Sequence, residues 1–101
     1  MDEKYQLSQR LNQLWTTYID KSNNLKQANL DFKEARSTFN LELNHPLRNN
    51  PTQFRNNLRK EAEYKYHMAE NKLKSLTKEV QDSKDDYDEL CNFILNYLDN
   101  N

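Results

Sequence analysis

The side chains best suited to chemistry in this sequence are two histidines and one cysteine. Neither His45 nor His67 has a carboxylate or a second histidine at the spacing of a metal site or an acid–base pair that stands out from the general charge density. Cys91 is the only cysteine, so one chain cannot form an internal disulfide or a cysteine-based zinc site. Its neighbours Asp88 and Glu89 are acidic, whereas reactive thiols lie beside basic groups. We interpret the histidines as surface or turn residues and Cys91 as a small buried apolar residue.

A series of glutamates in the second half of the chain is the other candidate for such chemistry. Dinuclear carboxylate sites in helical bundles need paired Glu-x-x-His motifs. Glu70 follows His67 by three residues in the reverse order, without a second copy of the pattern. A solvated helix face with lysine partners explains the series better. We therefore predict no catalytic residue, no metal site and no cofactor, and a protein that is not an enzyme. The series is Glu61, Glu63, Glu70 and Glu79.

The composition restricts the fold before any motif is considered. None of the 101 residues is glycine, two are proline and 31% are charged. Glycine supplies the positive φ angles of tight turns and the close backbone approach of phosphate-binding loops. Its absence argues against dinucleotide folds and most β-rich architectures, and predicts long helices joined by few turns.

The second half of the chain carries a heptad pattern. Asn50 suits a helix N-cap, Pro51 suits the first helical position, and Gln53 can complete the cap. The apolar positions beyond them alternate in steps of four and three, which is typical of a helix that packs along another helix. We predict a helix over about residues 51–98. With Ser83 as the one polar position, this seam is Ala62, Tyr66, Ala69, Leu73, Leu76, Val80, Ser83, Tyr87, Leu90, Ile94 and Tyr97.

The first half carries the same pattern and predicts a helix over about residues 2–43. Lys21 is its one polar seam position, and we predict that Lys21 and Ser83 restrict the pairing register. The weak helix formers in residues 20–24 do not disturb the heptad phase. The seam is Leu7, Leu11, Leu14, Tyr18, Lys21, Leu25, Ala28, Phe32, Ala35 and Phe39.

The connection between these helices, residues 44–50, contains Pro46, which disfavours helical geometry at His45. So short a loop makes long helices antiparallel neighbours. The predicted fold is all-α, a single domain over residues 1–101 formed by a long antiparallel two-helix hairpin or coiled coil. The alternative is a three-helix bundle with a break near Ser83, because Ser83 and Asp86 can form a capping box.

Pairing about the middle of the loop predicts that contacting residues have numbers adding up to about 95. Phe32 then lies near Ala62 and Leu7 near Tyr87, and the last apolar cluster has no partner within the chain. Such a cluster, with further apolar residues off the seam, predicts self-association or a partner helix. The interface candidates are Trp15, Ile19, Leu90, Phe93, Ile94, Leu95, Tyr97 and Leu98.

The charge is unevenly distributed although the net charge is −1. Residues 1–47 carry six Lys/Arg and six Asp/Glu, residues 48–79 carry eight and four, and residues 80–101 carry one and six. The basic span suits an anionic partner, but its interspersed glutamates and the lack of a reader motif argue against nucleic acid. We therefore interpret the basic span first as a solvated helix face.

The stretch Phe39-x-x-Glu42-Leu43-x-x-Pro46-Leu47, the basic helix after it and Ser83-Lys84-x-x-Tyr87-x-x-x-Cys91 resemble the middle of BAR-superfamily domains, particularly F-BAR domains. The resemblance covers about 60 residues and implies an elongated antiparallel helical dimer that binds anionic, curved membranes. Such domains are normally longer and more basic than this chain. By that resemblance the lipid contacts would be Arg48, Arg55, Arg59, Lys60, Lys65, Lys72, Lys74 and Lys78.

Two functions follow as hypotheses. The first is a non-enzymatic coiled-coil scaffold, or protein–protein interaction module, that forms homo-oligomers or docks partner helices. The alternative is a peripheral membrane-binding module of BAR type. The sequence offers no apolar run long enough to span a bilayer and no apolar core near its N-terminus, so we expect an intracellular, cytoplasmic protein, with a peripheral membrane position under the alternative.

Overall fold

The computed structural model describes residues 2–46 and 52–100. They form two α-helices, α1 (Glu3–Leu43, 41 residues) and α2 (Gln53–Asp99, 47 residues), and no strand occurs among them. The helices pack as an antiparallel hairpin, which confirms the predicted fold class. The predicted boundaries agree with the observed ones to within two residues at each helix end.

Each helix begins at a side-chain cap. The backbone N–H of Lys4 donates to Asp2 Oδ1 at 3.0 Å, and the backbone N–H of Arg55 donates to Thr52 Oγ1 at 3.1 Å. Both acceptors satisfy an amide that the first helical turn leaves without an intrahelical partner. Thr52 therefore caps α2. The predicted cap Asn50 and the predicted first helical position Pro51, like the rest of residues 47–51, lie outside the described residues.

Helix α2 continues without interruption through Ser83, so the alternative three-helix bundle is wrong. The side chain of Ser83 is directed into the hairpin, where the residue is only 4% exposed. A capping box would need that hydroxyl at a helix start, and a break would also interrupt a seam that keeps its heptad phase on both sides. Packing of the seam therefore outweighs the local start signal.

The burial pattern follows the two predicted seams. Every predicted seam position of α1 from Leu7 to Phe39, and of α2 from Ala62 to Tyr97, is buried or half-buried. The residues that are buried outright are small: Ala28, Ala62 and Ser83. Among the described residues, no large side chain is fully buried. The hairpin thus has a seam of half-covered side chains and little closed core.

The contacts divide the chain into two compact units, which we call the terminal unit (residues 1–25 and 76–101) and the middle unit (residues 26–75). In the middle unit the ring of Tyr66 lies 5.4 Å from that of Phe32 and 5.5 Å from that of Phe39, measured between centroids. Near the loop, Arg55 Nη2 donates to Glu42 Oε2 at 2.9 Å. An aromatic cluster and one ion pair therefore join the two helices in this unit.

In the terminal unit an aromatic cluster joins the helices again. The Trp15 ring centroid lies 5.7 Å from that of Tyr18 on the same helix and 5.2 Å from that of Tyr87 on α2. Close to the chain ends, the Tyr97 phenol donates to Glu3 Oε2 at 3.2 Å. The last turns of α2 are therefore paired with the first turn of α1.

This pairing corrects the predicted register. The numbers of contacting residues add up to 97 for Glu42 with Arg55 and 98 for Phe32 with Tyr66, close to the predicted 95 or so, but to 100 for Glu3 with Tyr97, 102 for Trp15 with Tyr87 and 105 for Phe39 with Tyr66. Every helical side chain leans toward the N-terminus of its own helix. In antiparallel helices these two displacements add. Two long side chains whose tips meet therefore belong to residues whose backbones lie at different heights along the hairpin, several residues from the pairing expected for residues at equal height.

Candidate functional site

The residues considered first for chemistry lie apart from one another. His67 is exposed, with its Nε2 3.8 Å from Glu63 Oε1 on the same face of α2. Cys91 is half-buried and His45 lies just beyond the end of α1. No group of three or more His, Cys, Asp or Glu side chains among residues 2–46 and 52–100 is arranged to hold a metal ion.

Two tyrosines of the terminal unit have a raised pKa. A hydrogen bond to the Cys91 thiol is the main reason that the pKa of Tyr87 lies above its ordinary value. A hydrogen bond to the Glu3 carboxylate, followed by the charge of that carboxylate, raises the pKa of Tyr97. In both cases the protonated phenol is favoured, so these groups stay neutral near pH 7 and act as structural donors.

The cations suggested as lipid contacts differ in their exposure and in the hydrogen bonds and ion pairs that they form. Arg55 is half-buried in its ion pair with Glu42, and Arg59 donates to Asn56 Oδ1 at 3.0 Å. Lys65 and Lys74 are exposed but lie 3.0 Å and 3.4 Å from glutamates one turn earlier. Exposed cations without an ion pair to a described residue are Lys60, Lys72 and Lys78, whereas Arg48 lies outside the described residues.

The interface candidates fall into two groups. Leu90, Ile94 and Tyr97 are half-buried in the seam. The expectation that the end of α2 has no partner within the chain is therefore wrong for Ile94 and Tyr97. The others are exposed, because they lie off the seam: Trp15, Ile19, Phe93, Leu95 and Leu98. Whether these side chains form an interface stays a prediction.

Two surface depressions lie beside the seam of the terminal unit. A cleft of about 230 Å³ has apolar walls that include Leu7, Leu11, Ile94 and Leu98. An open groove of about 400 Å³, which we call the acidic groove, is lined by three apolar residues, two carboxylates and one arginine. Its lining residues are Arg10, Leu14, Asp86, Glu89, Leu90 and Phe93.

The predicted register-setting residues are both withdrawn from solvent. Lys21 is half-buried on α1, and Ser83 is buried on α2 with no hydrogen-bond partner for its Oγ among the described residues. Their role in register stays a prediction.

Two features were not found from the sequence. The Glu42–Arg55 ion pair and the acidic groove both depend on which residues face each other across the hairpin. The observed contacts differ from the predicted register by up to about three helical turns, for Phe39 with Tyr66, so the acidic groove could not be derived. The Glu42–Arg55 pair lies within about two residues of the predicted register. The acidic residues of α2 were a usable signal, since Asp82, Asp86 and Glu89 recur at steps of four and three on one side of the helix.

Within the described part of the chain, neither helix has the length and apolar character needed to cross a bilayer. Comparison with protein-family models, with curated proteins and with solved structures gives no match. The functional argument therefore depends on the surfaces described above.

Proposed function

We propose that this protein is a non-enzymatic coiled-coil scaffold that forms homo-oligomers or docks partner helices through the apolar side chains outside its seam. One observation carries the proposal: among the described residues the only hydrophobic ones that are buried outright are two alanines, while eleven large apolar side chains outside the seam are exposed. The exposed set is Tyr5, Trp15, Ile19, Leu30, Leu41, Phe54, Tyr64, Met68, Phe93, Leu95 and Leu98.

The total surface supports the same conclusion. The chain exposes 7834 Å², whereas a compact monomer of its mass, 12.2 kDa, exposes about 6,100 Å² by the usual scaling. The excess of about 1,700 Å² is roughly twice what one partner buries in a standard protein interface. Helices obtain most of their stability from tertiary packing. Covering these side chains with further helices would therefore stabilise the protein.

The exposed side chains favour a helical partner because their spacing is helical. Leu95 and Leu98 lie three residues apart on α2, and Trp15 and Ile19 lie four apart on α1. Pairs at these spacings share one face of a helix and can serve as anchors for another helix. A cytoplasmic location, expected from the sequence, belongs to the same proposal.

The experiment is the mass of the full chain in solution, by light scattering after size exclusion over a concentration series. We expect a species heavier than one chain for the wild type. The variant F93S/L95S should shift the mass toward the monomer while its far-ultraviolet circular dichroism stays helical, since both side chains are more than half exposed. Leu90 and Ile94 are unsuitable targets, because their substitution would also disrupt the hairpin seam.

The matched control is N92S/N96S, which changes exposed polar residues on the same two turns of α2. Its mass should equal that of the wild type. The oligomer is refuted if the wild type is a monomer at every concentration. An equal fall in mass for F93S/L95S and for the control N92S/N96S would show that the apolar side chains do not form the contact.

A second candidate function, binding to an anionic membrane surface, has one observation in its favour. The middle unit carries ten Lys/Arg against six Asp/Glu. At about 100° per residue, however, Lys65 and Lys72 lie about 150° around α2 from Lys60 and Lys74, so one flat surface cannot contact all four. Vesicles with and without phosphatidylserine test it: the candidate requires binding to the anionic vesicles alone, lost in K60E/K74E or in K65E/K72E.

A further inference from the structure

The acidic groove of the terminal unit combines apolar lining residues with negative charge. Leu14, Leu90 and Phe93 line it together with Asp86 and Glu89. Asp82 precedes Asp86 by four residues and so extends the carboxylate row on the same side of α2. One cation, Arg10, also lines the groove. Three carboxylates against one guanidinium leave a site suited to an apolar side chain flanked by positive charges.

A complementary surface is present on the middle unit, on the outer side of α1. Lys26, Leu30 and Lys33 follow one another at steps of four and three, so they share one side of the helix. Ser37 and Leu41 continue that side in steps of four. All five residues are exposed, with Leu30 59% and Leu41 73% exposed. We call this side the lysine–leucine stripe.

The stripe is free to meet a partner. Lys26 and Lys33 make no ion pair with any residue of the described ranges. The nearest carboxylates of α1 are Asp31 on the adjoining side and Glu34 one turn beyond Leu30, and both line a separate cleft with Lys65. The stripe therefore presents two exposed lysines around an exposed leucine.

We propose that the acidic groove binds the lysine–leucine stripe of a second copy of this chain, a contact that rests on the proposed scaffold function and names its partner. Leu30 enters the groove against Phe93, while the two lysines lie along the carboxylate row. The spacing fits, because Lys26 and Lys33 are seven residues apart, about 10.5 Å along a helix, as are Asp82 and Glu89.

The charge of the two units favours a second copy as the occupant. The terminal unit carries five Lys/Arg and ten Asp/Glu, whereas the middle unit carries ten and six, so their formal charges are −5 and +4. The acidic unit of one copy therefore attracts the basic unit of another, and like units repel each other. Every copy has one groove and one stripe, so the contact can form both in a dimer and in a longer assembly.

The test is a charge-exchange experiment on the full chain. The stripe variant K26E/K33E and the groove variant D82K/E89K should each self-associate at least about 100-fold more weakly than the wild type, since each places like charges together. An equimolar mixture of the two variants should form a mixed assembly. In it, the unaltered groove of the stripe variant can bind the unaltered stripe of the groove variant, and the lysine-substituted groove can bind the glutamate-substituted stripe. Sedimentation velocity measures all three samples. Wild-type assembly should weaken between about 50 mM and about 500 mM salt.

Matched controls carry the same charge changes elsewhere. K72E/K74E and E61K/E63K change exposed residues of α2 in the middle unit and should assemble like the wild type. If the wild type assembles while the stripe and groove variants behave like these controls, the groove contact is refuted and the scaffold function stands. A wild type that stays monomeric at low salt refutes both. Circular dichroism of each variant excludes loss of helix as the cause.

Discussion

The buried hydroxyl of Ser83 allows a direct test of the hairpin's packing. Ser83 is 4% exposed, and its Oγ has no hydrogen-bond partner among the described residues. An unpaired buried polar group costs about 1–3 kcal/mol. Ser83→Ala removes that cost and adds up to about 0.5 kcal/mol of helix propensity, while the small void left by the oxygen takes back part of the gain. We expect the variant to be more stable by about 1–2 kcal/mol.

Urea unfolding followed by circular dichroism at 222 nm measures this difference. With a slope of about 1.5 kcal/mol per molar urea, the midpoint should rise by about 1 M. All samples need the same chain concentration, because assembly also shifts the midpoint. Ser75→Ala is the control, since Ser75 is an exposed serine of the same helix and should give only the propensity term. Equal shifts for both variants would show that the Ser83 hydroxyl is not an unpaired buried group.

Three further predictions follow from the interhelical contacts. The half-buried Glu42–Arg55 pair should show a coupling of about 1 kcal/mol in a double-mutant cycle by urea unfolding, more than exposed pairs one turn apart on α2. Tyr66→Ala should lower the free energy of unfolding by about 2–3 kcal/mol, because it removes a half-buried ring between two phenylalanines; a loss below about 0.5 kcal/mol would contradict the cluster. Since the pKa of Tyr97 is raised in the fold, its contribution to stability is complete below the pKa of the unfolded phenol and is lost as the pH rises through the folded value. Glu3→Gln should lower that pKa in a 295 nm absorbance titration, and an unchanged pKa would count against the hydrogen bond.

The helices were predictable because their signals are local. Heptad steps from Leu7 to Phe39 and from Ala62 to Tyr97 predict both the helices and the faces that are buried, and Pro46 marks where the first helix ends. The continuity of α2 through Ser83 was the preferred interpretation, since Val80 and Tyr87 keep the phase on either side.

The register could not be derived in the same way. The register depends on how far long side chains are displaced along the axes of two antiparallel helices. A prediction that pairs residues at equal distances from the middle of the loop ignores that displacement. The consequence was large at the chain end, where Tyr97 contacts Glu3 although it was expected to have no partner. The acidic groove was missed for the same reason, because its walls come from residues far apart in the sequence. The resemblance to BAR domains and the interface residues stay predictions, since no observation of a single chain tests them.

The packing of the hairpin and its proposed assembly are parts of one argument. Among the described residues the seam buries outright only Ala28, Ala62 and Ser83, and an alanine methyl removes only a small apolar area from water. The larger side chains, Trp15 and Phe93 among them, stay about half exposed and would gain further when another helix covers them. The free energy of unfolding should therefore contain a term set by chain concentration, as for any species that binds only the folded state. A thermal midpoint that rises with concentration would link stability to association, whereas a constant midpoint would mean that the half-covered seam alone holds the hairpin together.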